Sequence, residues 1–401
     1  MLVICAVSAL VVGLLSPPDT AQQAWGLIAS AGYACAALVA ARQSLSWART
    51  PATIAVVGAA VVPLLYLMVI GKAQMEVGVV QRAADLLLSS GTPYNTALHE
   101  VKDFNPYLPG MALFGIPHVL FGDNPFTSAR LWFVIGFLAA VAGAVRVLTK
   151  GRGADAGPYG TAQGITAWTG ALWLVACPVV ALPLAIGGVD PPVMGLICLA
   201  LACTHRGRAG RAGLAVGAAA ALKWTAWPAI PVILAVLAVR EGKRAALTCA
   251  AVATAIPVLS VLPMVLVDSD AFYQNVVLYP LGLGPTASSA QSPLLGSLIV
   301  SLVPNGKAVT VALIGLSALG VGISLLVRPP RNTVAAADRM ALGLILAIVL
   351  SPATRVGYAI YPIVLLVWPR FAAALSPDRP ADRPDPVERE ADRKTSEPTG
   401  S

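Results

Sequence analysis

The 401-residue sequence predicts an all-α, polytopic integral membrane protein. It should have about 10–12 transmembrane or partly spanning helices, with an amphipathic surface helix in the first large outer loop. Three observations predict this class. Only 11% of the residues are charged and 57% are hydrophobic, whereas soluble domains carry about 25% charged residues. Mean hydropathy is +0.77, and apolar runs long enough to cross a bilayer recur along the chain. Arg and Lys gather in short loops between those runs, the pattern of the positive-inside rule. The net charge of +8 therefore reports topology and gives no reason to expect nucleic acid as a partner.

The first apolar run, Leu2 to Ser16, lacks a basic flank and a small-residue cleavage site, and it reads as a retained short helix. Helices are expected at 23–41, 52–71, 127–149, 161–185, 190–204, 245–267 and 308–328. The basic loops are Arg42 to Arg49, Lys150 to Arg152, Arg206 to Arg211, Glu241 to Arg244, Arg328 to Arg339, and Arg370 onward. Placing them in the cytoplasm puts the loops 72–106, 181–189 and 268–307 outside. Residues 107–126 then do not cross. The segment is short and holds Pro109, Pro117 and Pro125, which suits a re-entrant or interfacial piece. The alternative is that it spans and another crossing is miscounted.

Two regions, 212–240 and 341–370, begin and end at basic flanks, so each must enter and return. Each has a polar break near its middle, Leu222-Lys223-Trp224-Thr225 and Ser351-Pro352-Ala353-Thr354-Arg355. Both are expected to be hairpins of short helices with a cation at the turn. Beyond the membrane domain, 1–375, the Pro-rich stretch 376–401 has seven acidic and five basic residues and little to bury. It is expected to be a disordered cytoplasmic tail. The six cysteines lie in or beside apolar runs without metal-ligand spacing and read as packing residues.

Residues 74–109 concentrate the polar chemistry. Met75 to Ser90 has an amphipathic pattern, with Val77, Val80, Ala84, Leu87 and Leu88 on one face. Gly91-Thr92-Pro93 ends it. Glu76 sits in the first turn, where a helix dipole favours a carboxylate. It is either a helix-stabilising residue or a base or substrate ligand. His99, Glu100 and Asp103 form a second cluster, able to bind a divalent metal or a sugar or simply to be a solvated loop. Their spacing is not a strong metal signature. His118 reads as interfacial and His205 as part of a basic loop. Asp190 opens a helix ahead of Pro191 and Pro192, either as an N-cap or as a polar contact at a cavity edge. Lys223 and Arg355 are charges at membrane depth, which makes each a site candidate. A cation in a cavity suits an anionic phosphate, and Arg can hold one bidentately; snorkelling to a surface is the other reading. The second outer loop carries Phe272-Tyr273-Gln274-Asn275 and Ser288-Ser289-Ala290-Gln291, which suit carbohydrate contact or an interfacial belt alike.

In order along the chain, these elements resemble the GT-C membrane glycosyltransferases, and among them glycosyltransferase family 87, the polyprenol-phosphate-mannose-dependent mannosyltransferases of actinobacteria. The resemblance rests on Glu76 to Tyr94, Phe104-Asn105-Pro106-Tyr107-Leu108-Pro109, the helix start near Asp190, Ala221-Leu222-Lys223, and Ser351 to Pro362 with Tyr358 inside it. It covers about residues 50–370. It implies transfer of a sugar from a polyprenyl-phosphate donor to a lipid or glycan acceptor at the outer face of the cytoplasmic membrane. Glu76 would be the general base. Lys223 or Arg355 would stabilise the departing phosphate, with Asp190, Asp103, His99, Tyr94 and Tyr358 as further substrate-binding candidates. Besides these partners only membrane lipids are expected. No Asp-x-Asp motif occurs, and no metal or cofactor is expected. The family carries Asp where this chain has Glu76, so a non-catalytic relative stays open beside the enzyme. A transporter or flippase is the rival class, because broken helices with midplane charges occur there too.

Overall fold

A computed structural model describes residues 1–42, 49–150, 167–284, 286 and 292–375. The tail at 376–401 and the Ser288-Gln291 stretch lie outside the described residues. Within them the chain is a helical bundle with no β-strand. Helices α1 (Leu2–Leu15) and α2 (Ala21–Ala41) form a hairpin, followed by α3 (Arg49–Val56) and α4 (Val62–Val69), which a π-helical turn at Val57–Val61 joins into one rod. The surface helix α5 is Met75–Ser90, ended by Gly91 in the left-handed conformation (φ 77°).

The segment after it does not form a full-length helix. It is a 3₁₀ stretch, Pro109–Gly115, running into the short α6 (Ile116–Phe121). Next come α7 (Ala129–Thr149), α8 (Ala167–Val175), α9 (Pro178–Ile186), α10 (Asp190–His205), α11 (Ala209–Leu222), α12 (Ala229–Arg240) and α13 (Lys243–Val267). The short α14 (Ser269–Phe272) leads through a second π-helical turn, Tyr273–Leu278, towards α15 (Leu295–Leu302), α16 (Gly306–Val327), α17 (Thr333–Leu350) and α18 (Ile360–Leu375). Six of these rods are long and apolar enough to cross a membrane, and the bent α8–α9 pair makes a seventh candidate.

Three expectations need correction. The run at 161–185 is two helices bent by 64°, because Cys177-Pro178 interrupts the ladder and Pro178 opens α9. The first half of the late broken region starts at Thr333, and its 18 residues are long enough to span by themselves. The loop expected at 268–307 contains α14, the π turn and α15 among its described residues. Aromatic and amide residues there hide a periodicity too short to read from sequence.

Close backbone approach holds the first helices together. A Cβ built on Gly32 would lie 2.5 Å from the Gly58 Cα, so α2 and the π turn meet through bare backbone, as small residues permit in a membrane. At several irregularities in the bundle a freed carbonyl is answered by a protein donor. Trp25 Nε1 donates to Ala59 O within the π turn at 2.7 Å, and Tyr33 Oη donates to Ala176 O at the α8–α9 bend at 2.6 Å. At the α11–α12 break, Leu108 N–H donates to Leu222 O at 3.1 Å and Trp227 Nε1 to Ala220 O at 3.0 Å. Ser292 N–H donates to Thr354 O at the late break, at 2.9 Å. Irregular backbone at membrane depth needs such protein partners, and here it carries the charged side chains.

Candidate active site

Glu76 reaches its position because the turn before α5 is pinned from two sides. Gln74 N–H donates to Ile186 O at 2.8 Å, and Arg130 Nη2 in the first turn of α7 donates to Lys72 O at 2.5 Å. The strap at 72–74 is therefore tied to α7 and to the end of α9, and α5 starts directly from it. Glu76 is buried, only 5% exposed. Its Oε1 accepts a hydrogen bond from Arg355 Nη1, which the late break between α17 and α18 delivers. Its other oxygen, Oε2, is buried and has no hydrogen-bond partner among the described residues.

Arg355 keeps 29% of its side chain exposed. With Glu76 it lines a cavity of about 610 Å³, whose other polar walls include Asp19, Gln22, Lys72 and Gln74 from the α1–α2 turn and the strap. Lys72 and Asp19 pair at its rim at 3.1 Å, largely in solvent.

A second ion pair lies deeper. Lys223 Nζ donates to Asp190 Oδ1 at 2.6 Å, with side-chain exposures of 5% and 15%. Tyr361 Oη donates to the same oxygen at 2.6 Å, and Thr225 Oγ1 donates to Tyr361 Oη at 2.8 Å. The Lys223 ammonium also stands over the Tyr358 ring at 4.8 Å and the Tyr107 ring at 5.7 Å, within cation–π range. Tyr107 is in turn within electrostatic reach of Glu76, Tyr358, Asp190 and Arg355. Of the two ion pairs, Glu76–Arg355 faces the cavity and Lys223–Asp190 is enclosed by protein.

This arrangement sorts the candidates. Glu76, Arg355, Tyr358, Lys223 and Asp190 come together. Lys223 does not line the cavity, and its charge is engaged by Asp190, contrary to the reading of it as a cation awaiting phosphate. Asp190 is not an N-cap: Val189 occupies that position, and Asp190 is the first helical residue. Its carboxylate turns to Lys223 and Tyr361 instead.

Tyr94, His99 and Asp103 do not line that cavity. Tyr94 is buried, donates to Tyr107 O at 3.0 Å and packs edge-on against Phe272. Asp103 Oδ2 accepts from the backbone N–H of Glu100 at 2.8 Å and of His99 at 3.1 Å. Those two bonds hold its carboxyl below the usual range. Glu100 and Asp103 cap each other's ends of the 3₁₀ turn Val101–Asp103, and the Glu-x-x-Asp spacing is the signal that would have identified a capping box. No group of three or more His, Cys, Asp or Glu side chains that could hold a metal occurs among the described residues.

Several site residues escaped the sequence. Tyr107, Thr225 and Tyr361 are ordinary residues of membrane segments, and only tertiary packing shows their bonds. Arg130 was hidden inside an expected helix. It is 3% exposed, and its Nε and Nη1 have no hydrogen-bond partner among the described residues, so it is a buried cation placed under the strap that carries Glu76. Asn275, among the amides the sequence suggested for carbohydrate contact, accepts Asn105 N–H at 2.8 Å from the second π turn and donates to Asn95 O at 3.1 Å, clasping the two long loops together.

The sequence profile of glycosyltransferase family 87 matches residues 105–352, well over half of the chain. The protein is an all-α polytopic membrane protein. It belongs to glycosyltransferase family 87. Asp190 and Lys223 fall inside the matched segment, Arg355 just past it, and Glu76 ahead of it. Among solved structures, ArnT from Cupriavidus metallidurans in the apo state is similar at 16% identity and a TM-score of 0.42. The match covers 78% of this chain and 56% of that one, so this chain spans little more than half of ArnT's length. No curated protein matches.

Proposed function

We propose that the protein transfers mannose from a polyprenyl-phosphate sugar to a hydroxyl of a lipid or glycan acceptor at the outer face of the cytoplasmic membrane. The observation that carries this reading is the Glu76–Arg355 pair on the wall of an open cavity. Basic loops placed in the cytoplasm put that cavity on the outer side.

The pair suits a donor-operated site. The donor's phosphodiester, with one charge shared by two non-bridging oxygens, offers Arg355 a bidentate partner stronger than one carboxylate oxygen. When the donor arrives, Arg355 moves to the phosphate and Glu76 is released. The acceptor oxygen attacks the anomeric carbon while Glu76 Oε2 takes its proton. The bond from the anomeric carbon to the phosphate oxygen breaks, and its electron pair leaves with the polyprenyl phosphate. Arg355 stabilises the charge that develops there. One displacement inverts the anomeric configuration, and the proton on Glu76 later passes to water. Lys223, Asp190, Tyr361 and Thr225 act as a rigid frame that presents Tyr358 and the Arg355 break to the site.

The test uses the full-length protein in membranes with radiolabelled polyprenyl-phosphate mannose and a panel of lipid and glycan acceptors. Wild type should transfer the label. Arg355→Met should raise the donor KM by about ten- to a hundredfold, the size of a charge-assisted hydrogen bond. Transfer by Arg355→Met with an unchanged donor KM would remove Arg355 from the phosphate site. No transfer by wild type to any acceptor would count against the reading as a whole.

A further inference from the structure

We propose that Gln22 and Gln74 form an acceptor subsite beside Glu76 and that it takes a carbohydrate; this rests on the transferase reading above. Both glutamines line the same cavity as Glu76 and Arg355. Both are half-buried, and neither side-chain amide makes a hydrogen bond among the described residues. Their neighbours behave differently. Thr20 caps α2 by accepting from Gln23 N–H at 3.2 Å, and Gln23 Oε1 accepts from Asp19 N–H at 2.9 Å. The α1–α2 turn is thus completed without Gln22. Gln74 occupies the N-cap of α5 but gives it no side-chain cap. Two amides that make no hydrogen bond of their own among the described residues therefore belong to residues on the wall of the cavity that holds the base.

The chemistry of two amides selects the ligand. Each primary amide offers an N–H donor and a carbonyl acceptor, and each sugar hydroxyl both donates and accepts. Two amides flanking a carboxylate match a ring with several neighbouring hydroxyls, one delivered to Glu76 and others held by Gln22 and Gln74. A simple lipid alcohol has a single hydroxyl and can pair with fewer of these groups, so it gains less from the two amides than a sugar ring does. The subsite lies wholly ahead of residue 105, where the family match begins.

The experiment has two arms on full-length protein in nanodiscs. In the binding arm, saturation-transfer NMR compares octyl glycosides of several hexoses with octanol on wild type, Gln22→Ala, Gln74→Ala and the double variant. The expected result is binding of at least one glycoside in preference to octanol, weakened about tenfold or more when both amides are lost. Equal binding by the double variant, equal binding of octanol, or no glycoside binding overturns the subsite. In the transfer arm, radiolabelled polyprenyl-phosphate mannose is added with the glycoside that binds best. A rise in acceptor KM with the donor KM held supports the proposal, and a rise in donor KM alone overturns it. Amide-dependent glycoside binding without any sugar transfer supports a carbohydrate site while overturning the transferase reading, so the two failures are distinguishable.

Discussion

Glu76→Gln should lower kcat for sugar transfer by about a hundred- to ten-thousandfold, the range expected when a positioned general base is removed. The substitution keeps the shape of the side chain and removes only its ability to take a proton near neutral pH. It also has a signature that a purely structural role would not produce. Glu76 holds Arg355 in the absence of donor, so the donor must displace it. Gln is a weaker partner for a guanidinium than a carboxylate. Donor affinity should therefore stay equal or tighten while turnover collapses. Steady-state kinetics with radiolabelled polyprenyl-phosphate mannose, together with equilibrium binding of polyprenyl phosphate, separate the two effects. Unchanged turnover would clear Glu76 of the base role. Weaker donor binding with parallel loss of folded protein would make it a structural residue.

The second large effect is on stability. Lys223→Met should destabilise the protein by about 3–5 kcal/mol, because it leaves the Asp190 carboxylate buried without its cation. Asp190 loses the ammonium at 2.6 Å and keeps only the Tyr361 hydroxyl. The double variant Asp190→Asn/Lys223→Met removes both charges and leaves Tyr361 an amide oxygen to donate to. It should recover most of the loss, because replacing both members of a buried pair is often near neutral. Resistance to denaturant in detergent micelles, followed by tryptophan fluorescence, measures both. A single variant as stable as wild type would show that the pair is not a frame. A double variant as weak as the single would show that Lys223 matters through packing on Tyr107 and Tyr358.

What the sequence revealed and what it hid follow the range of the forces involved. Local signals were readable. The apolar runs became helices, the amphipathic pattern of 75–90 became α5, and Gly91 ended it. The breaks at Lys223 and Ser351 to Arg355 were visible because charge, Pro and β-branched residues interrupt apolar runs. Partnership was not readable. Lys223 finds Asp190 across 33 residues and Arg355 finds Glu76 across 279, and no periodicity records such pairings. Both cations therefore looked alike, although one is enclosed by protein and the other faces a cavity. His99, Glu100 and Asp103 misled for the opposite reason. They carry chemistry-bearing side chains, but Asp103 is occupied by a backbone turn three and four residues away. Gln22 and Gln74 drew no notice because uncharged amides near helix starts are commonplace, and only the cavity gives them significance.

The donor-operated pair can be seen directly. Cryo-electron microscopy of the full-length protein in nanodiscs, with and without a short polyprenyl phosphate such as farnesyl phosphate, would resolve the Glu76 and Arg355 side chains. The expected result is phosphate density in the cavity within hydrogen-bond distance of Arg355, with the guanidinium moved off Glu76 and the carboxylate free beside the bound lipid head. Phosphate bound elsewhere, or Arg355 still held by Glu76 with the lipid in place, would contradict a catalytic site built on that pair.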